Sequence, residues 1–289
     1  MAGEITNWQI QAYKEGVLLA VQQRRSKLRA SVRDDGKLVG KRVFFDLLAA
    51  TAMQKRNVRN QPTVLTDQTH NRRAGSMDLY DLFMTIDPID VHRIGSDPTS
   101  SYQQNGVMAC ERQIDDVILA GMLGTAYEGE DGATLVAFNA GGNALVVNGG
   151  TGLTLDKILE VGELYESMDL PDDEPKYWAY GASQRTDLLN INEIKSNDYN
   201  NKALVDGKVV YFGGFNFLPF QRLGIPAGAG IRRNVTWAKS GVGFFLGQNM
   251  EVKINERADL SNVKQIGITI DCGAVRVEDE KVIAVDCVE

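Results

Sequence analysis

The alternation of apolar and polar positions divides the chain into a few strongly patterned stretches and one long unpatterned one. Residues 5–33 are predicted as a helix: Trp8, Ala12 and Leu19 supply an imperfect apolar stripe, and "QQRRSKLRASVR" continues it with good helix formers. "DDGKLVG" should break that helix. "RVFFDLLAATAM" (42–53) is a short apolar stretch that fits either a strand or a helix. Residues 60–75 then hold only two strongly apolar side chains, Val64 and Leu65, on no periodic face. With Pro62 and the Asn, Thr and Gly residues of 57–76, this reads as the tip of a long two-stranded excursion. Acidic and apolar residues nearly alternate from Met77 to Ile86.

The best helical pattern covers residues 100–124. Val107, Cys110, Ile114, Val117 or Ile118, and Gly121 fall on one face, Asp97-Pro98-Thr99 supplies the turn before it, and Gly124 the stop. "GEDGATLVAFNAGGNALVVNGGTG" predicts short strands joined by glycine turns. Residues 154–171 predict a second amphipathic helix, with Thr154 as N-cap and Pro171 beyond its end. "KYWAYGASQRTDLLNI" holds a strand and a short helix, and "KVVYFGGFNFLPF" and "RNVTWAKSGVGFFLG" read as strands or strand–turn units. The C-terminal "KQIGITIDCGAVRVEDEKVIAVDCV" gives two or three alternating strands around a Glu-Asp-Glu turn. The class is α+β, and no internal repeat is visible.

Composition adds bounds. A chain of 289 residues, 43% apolar and 24% charged, can form one large domain or two modest ones, each with a real core. No run approaches the length of a membrane span, and "MAGEITNWQIQAYKEG" has no basic start followed by an apolar block, so no secretory signal is expected. Cys110, Cys272 and Cys287 are odd in number and lack CxxC spacing, which predicts reduced, buried thiols in a cytosolic protein.

The net charge is −7, unevenly spread. Residues 9–42 carry nine Lys/Arg against three acids, and residues 156–198 carry eleven Asp/Glu against four bases. A basic arm and an acidic body can attract one another between copies, which argues for self-association. Nucleic-acid binding and a plainly solvated helix face are the competing readings of the arm.

Candidate chemistry is thin. "NGGTGLTLDK" (148–157) puts glycines before a helix but lacks the spacing that brings a lysine and a hydroxyl to phosphates. "GIPAGAGIRR" lacks a dinucleotide fingerprint. His70 and His92 have no metal-binding partner three or four residues away. Cys110 sits on the apolar face of its helix, where a thiol is inert. Asp115 and Asp116 are adjacent and point in different directions, one expected in solvent and one bonded to a neighbouring loop. Trp8, Tyr13 and the basic run after them lack a stacking platform on a sheet, so only weak, sequence-independent nucleic-acid contact is expected. Nothing assembles a nucleophile, a base and oxyanion donors. The chain reads as non-enzymatic, without cofactor or metal.

The order of the elements is more informative than any one motif. A basic arm, a long polar excursion, the helix "ERQIDDVILAGMLGTAYEGEDG", the block from "LTLDKILEVGELYESMDLP" through "YWAYGASQRTDLL" to "LVDGKVVYFGGFNFLPFQRLGIP", and a terminal strand set follow one another. Nearly the whole chain, and especially "DQTHNRRAGSMDLYDLF" and "DPTSSYQQNGVMACERQIDDVILAGMLGTAYEGEDG", resembles podophage-type major capsid proteins of tailed bacteriophages. These have the Hong Kong-phage type fold, shared with encapsulins and herpesvirus shells.

The resemblance implies an N-terminal arm (1–43) and an extended loop (54–95) that lies over a neighbouring subunit. It implies a peripheral domain (44–53, 96–149 and 246–289, spine helix about 100–124) and an axial domain (150–245). It implies pentamers and hexamers closing an icosahedral head around double-stranded DNA, within the virion after assembly in the host cytoplasm. Inter-subunit contact candidates are Arg56, Arg59, Arg72, Arg73 and Asp67 of the excursion, and Trp8, Arg24 and Arg25 of the arm. The chain starts almost directly with the arm, so scaffolding is expected from a separate protein, alongside a portal; a cement protein stays open. No membrane partner is implied. Some family members cross-link neighbours through a Lys–Asn isopeptide bond, but Lys55 lies near the loop base and does not match that chemistry. An encapsulin-like compartment shell is the alternative on the same fold, and an enzyme with an unfamiliar site the alternative from another class.

Overall fold

The computed structural model describes residues 22–60, 62–63, 65–87, 99–142, 144–171, 173–195, 204–205, 208–224 and 230–289. Trp8, Tyr13, Lys14 and residues 5–21 of the expected first helix lie outside the described residues. So do Val64, His92, Asp97-Pro98, and residues 196–198 and 225–229. In chain order the strands are β1 (Arg33–Lys37), β2 (Arg42–Leu48), β3 (His70–Ser76), β4 (Asp78–Ile86), β5 (Ala126–Glu128), β6 (Thr134–Val136), β7 (Leu145–Val146), β8 (Lys176–Tyr180), β9 (Leu204–Val205), β10 (Lys208–Val209), β11 (Tyr211–Phe212), β12 (Phe215–Pro219), β13 (Ile231–Ala238), β14 (Val242–Arg257), β15 (Val263–Arg276) and β16 (Val282–Val288). The helices are α1 (Thr99–Leu123), α2 (Leu155–Ser167), α3 (Ala182–Asn190) and the single turn α4 (Asn192–Lys195).

The chain divides into two compact units. The larger comprises Ser26–Asp78, Gln113–Asn249 and Asp271–Glu289. Its main core lies on a mixed six-stranded sheet ordered β11-β12-β8-β13-β16-β7. β13 runs antiparallel to β16 from Ile231↔Val288 to Trp237↔Val282, and β8 runs parallel to β12. Ile158, Val161 and Tyr165 of α2 recur at helical spacing and join Leu188 of α3, Trp178, Phe215, Phe217, Ile283 and Val285 in one buried cluster. β16 is buried along nearly its whole length, which is why "VIAVDCV" is almost continuously apolar rather than alternating. Thr154 does occupy the N-cap of α2, in extended conformation, but its hydroxyl makes no capping bond.

A second core in this unit joins Phe45, Met77, Ala126, Phe245, Val275 and Val277, with Val43 and Leu47 against it. It settles the ambiguous "RVFFDLL" as a strand. Val43, Phe45 and Leu47 point inward and Phe44, Asp46 and Leu48 outward, the two-residue period of a one-sided sheet. That sheet has the order β2-β3-β5-β6.

The helix expected over 5–33 does not extend through its described part. Arg29–Ser31 is a single 3-10 turn, and Arg33–Lys37 is a strand pairing in parallel with β14, so "DDGK" is strand rather than breaker. Gln, Arg, Lys and Leu favour a helix locally, but long-range bonds win. The buried Asp115 carboxylate accepts the Ser26 hydroxyl at 2.5 Å and the backbone N–H groups of Lys27 and Leu28 at 3.0 and 3.1 Å. The Trp237 indole N–H donates to the Ser31 carbonyl at 2.9 Å, and Leu28 and Val32 are buried.

The smaller unit comprises the described residues of Met1–Arg25, Leu79–Arg112 and Met250–Ile270. β14 and β15 form a hairpin closed by the Ala258–Leu260 turn, with Ser261 and Asn262 at positive φ.

α1 has 25 residues, which makes it about 37 Å long. Its buried positions Cys110, Ile114, Val117, Ile118 and Met122 follow the expected stripe, and the Gly124 N–H closes it by donating to the Ala120 carbonyl at 2.7 Å. Gly121 is where the helix touches β15 backbone: a Cβ there would lie 2.7 Å from the carbonyl carbon and oxygen of Ala274. Backbone cannot step aside as a flexible side chain can, so Gly121→Val is expected to destabilise the folded chain by about 1–3 kcal/mol. Urea denaturation of the unassembled protein should show this as a lower midpoint at unchanged slope.

Candidate functional site

The antiparallel pair β2–β3 carries the chain outward from the second core. Its register runs from Arg42↔Ser76 to Leu48↔His70, and the Ala49 N–H extends it by bonding the Thr69 carbonyl at 3.1 Å. The Gln68 side chain then closes the base by donating to the Ala49 carbonyl at 2.6 Å. Beyond that point every described residue from 49 to 69 is exposed. Met53 at 101%, Leu65 at 85% and Val58 at 64% exposure stand in solvent although they are apolar. Lys55, read from the sequence as near the loop base, lies instead in this tip beyond the paired strands, where it and Arg56 line a shallow groove of about 340 Å³ together with Met53, Pro62 and Thr63.

The predicted contact residues fall into three environments. Arg56, Arg59 and Asp67 lie on the exposed tip, and Arg24 and Arg25 are exposed at the start of the described chain. Arg72 is bound within its own hairpin, paired with Asp46 at 2.6 Å and lying over the Phe44 ring at 5.3 Å. Arg73 is only 5% exposed and turns into its own chain, donating to the Val277 carbonyl at 3.2 Å and to Asp279 at 2.8 Å, with Glu128 3.9 Å away. That geometry removes Arg73 from the surface the sequence suggested for it.

The partner of Arg73 leads to a set of residues that sequence reasoning missed. Asp279 also accepts Arg276 Nε at 2.5 Å, so one carboxylate holds two guanidinium groups. Arg276 is fully buried; its Nη1 donates to the Met122 and Gly124 carbonyls at 2.7 and 3.0 Å. A cation at that end of α1 meets the negative pole of the helix and satisfies carbonyls that have no intrahelical partner. The only sequence signal was an arginine inside an otherwise apolar strand, "CGAVRV".

Other suspected chemistry resolves into structure. In "NGGTGLTLDK" the loop carbonyls of Asn148, Thr151 and Gly152 accept bonds from Lys157 Nζ at 2.9, 2.9 and 2.8 Å, and the Asp286 carbonyl accepts a fourth at 3.1 Å. The loop is therefore filled by an ammonium and presents oxygens, not N–H groups, so it is no phosphate cradle. Asp115 anchors the 26–28 segment as described, while Asp116 pairs with Arg222 rather than standing in solvent. Burial pushes the thiols of Cys110 and Cys287 up to about 11, which keeps both protonated and unreactive at neutral pH. Among the described residues, no group of three His, Cys, Asp or Glu is placed to hold a metal ion, and no helix is long and apolar enough to cross a membrane.

A model of a family described as phage capsid protein matches residues 5–289. The chain belongs to that family. The match selects the phage reading over the encapsulin and enzyme alternatives, and this capsid protein is a structural subunit of the head shell. Its architecture is that of solved phage structures. The capsid of cyanophage P-SCSP1u matches with a TM-score of 0.74 at 12% identity, covering 97% of this chain and 94% of that one. A structure of Mycobacterium phage Che8 matches at 0.71 and 12%, covering 96% and 97%. The cyanophage Pam1 capsid matches at 0.67 and 14%, covering 100% and 99%. At these identities the likeness is one of fold, the Hong Kong-phage type. No curated protein sequence matches the chain.

In the capsid protein, Asp279 therefore fixes the root of the exposed excursion to the end of α1. Asp279→Asn would leave the fully buried Arg276 without its counter-charge, a change expected to cost roughly 3 kcal/mol. Arg72→Ala, which removes a solvent-exposed ion pair and a contact on the Phe44 ring, should cost far less. Chemical denaturation of the two variants side by side tests that ranking.

Proposed function

We propose that copies of the capsid protein associate into pentamers and hexamers, with the excursion at about 54–95 lying over a neighbouring subunit. The observation that carries this reading is the tip: described residues 49–69 have no core of their own, yet hold Met53, Val58 and Leu65 in water. Isolated exposed apolar residues are ordinary, but a projecting segment made only of exposed residues gains its packing from another molecule. In this arrangement α1 is the spine of the peripheral domain (44–53, 96–149, 246–289), and residues 150–245 form the axial domain around fivefold and sixfold axes. Residues 1–43 form the arm, whose root at Ser26–Leu28 is fastened to Asp115. Heterologous contacts of this kind close into rings.

The shell would enclose double-stranded DNA and assemble in the host cytoplasm with a separate scaffolding protein and a portal. Arg24 and Arg25 offer sequence-independent contact with packaged DNA.

Reversing the tip charges tests the reading. Arg56→Glu with Arg59→Glu touches only exposed side chains, so the unassembled chain should keep its thermal midpoint. Each rim contact contributes under about 1 kcal/mol, but the change recurs at every subunit. Electron microscopy of the double variant, expressed with the phage's own assembly proteins, should show few or no closed shells. Normal shells in normal yield would overturn the assignment.

A further inference from the structure

The larger unit holds a second concavity, away from the excursion's own tip groove. A groove of about 400 Å³ lies among the last turn of α2, residues 139–141 with Ala144, and the turn between β15 and β16. Leu164, Met168, Ala140 and Ala144 give it apolar lining, and Asp279 and Glu280 give it acidic lining. The shape is fixed: Asn139, at positive φ, accepts the Ala144 N–H on its side-chain oxygen at 2.8 Å, and Asp279 is clamped by Arg73 and Arg276. The nearby Lys281 ammonium is held by Glu278 and Ser240, each at 2.8 Å. Glu280 is exposed, and the C-terminal end of α2 adds its negative pole. An occupant that fits has an apolar side chain for the apolar lining and a cation for the acidic lining.

One exposed segment of this chain has that chemistry within four residues. Met53 is fully exposed, and Lys55 and Arg56 follow it. We propose that the Met53–Arg56 segment of a second copy seats in this groove. Met53 packs on Leu164 and Met168, and the Lys55 and Arg56 cations meet Glu280 and the end of α2. The aliphatic stems of both cations cover apolar wall while their heads stay at the acidic lining. This inference rests on the reading that the excursion covers a neighbouring subunit, and it names where on that neighbour the tip lands.

Zero-length carbodiimide coupling tests it on the full chain. Shells assembled from a mixture of ¹⁵N-labelled and unlabelled copies are treated and digested, and cross-linked peptides are read by mass spectrometry. The expected product joins Lys55 to Glu280 between a heavy and a light copy, and Glu280→Gln abolishes it. Glu280→Arg should reduce closed-shell yield at least about tenfold, because the reversed charge recurs at every subunit, and adding Lys55→Glu with Arg56→Glu should restore it. Inter-copy links from Lys55 only to other carboxylates would overturn the groove and leave the covering excursion standing. Links within one copy alone, or no Lys55 link at all, would overturn the seating. A wild-type chain that stays monomeric with every assembly protein supplied would instead overturn the proposed shell architecture.

Discussion

The pairing of one carboxylate, Asp279, with two guanidinium groups is the constraint on which the rest of this capsid subunit depends. Arg276 is buried completely and Arg73 almost so, and a guanidinium taken out of water is tolerable only where opposite charge and hydrogen bonds surround it. Asp279 supplies charge to both, with Glu128 also near Arg73, and the Met122, Gly124 and Val277 carbonyls accept further bonds; among the described residues, Arg73 Nη1 alone of these guanidinium nitrogens is left without a hydrogen-bond partner. Through these contacts β3, the C-terminal end of α1 and the turn before β16 become one rigid corner. The β2–β3 excursion can project because its root is held in this way.

The same strategy recurs in the larger unit. Asp115 collects a hydroxyl and two backbone N–H groups where the arm begins, and Lys157 collects four carbonyls where β7 leads into α2. In each case one buried charge replaces several local backbone bonds and locks irregular chain that secondary structure would not hold. In the proposed architecture, a rigid body of this kind would hold the exposed 49–69 segment out for another copy to cover.

Elements whose identity rests on local pattern were legible in the sequence. The stripe from Cys110 to Met122 and the spacing of Ile158, Val161 and Tyr165 encode their own burial, and the strands ahead of Val288 were legible as strands although β16 is buried almost throughout rather than alternating. Residues 22–33 were misread because their local preference for helix is overruled by Asp115 and Trp237, far away in sequence. Arg73 was named among the inter-subunit contact candidates for the same reason: the carboxylate it bonds within its own chain is 206 positions along. Asp279 itself sits in a Glu-Asp-Glu run that reads only as a turn. The missing spacing before α2 already argued against an anion site, but sequence does not say that the loop turns its carbonyls, rather than its N–H groups, inward onto Lys157.

The central claim is that the excursion has no stable packing until another copy supplies it. Hydrogen–deuterium exchange over residues 49–69, in the unassembled chain and in purified shells, tests this most directly. The account predicts rapid exchange across the segment in the free chain and strong protection in the shell, with the β2–β3 root protected in both. Equally rapid exchange of the tip in intact shells would show that no neighbour covers it, and would contradict the account.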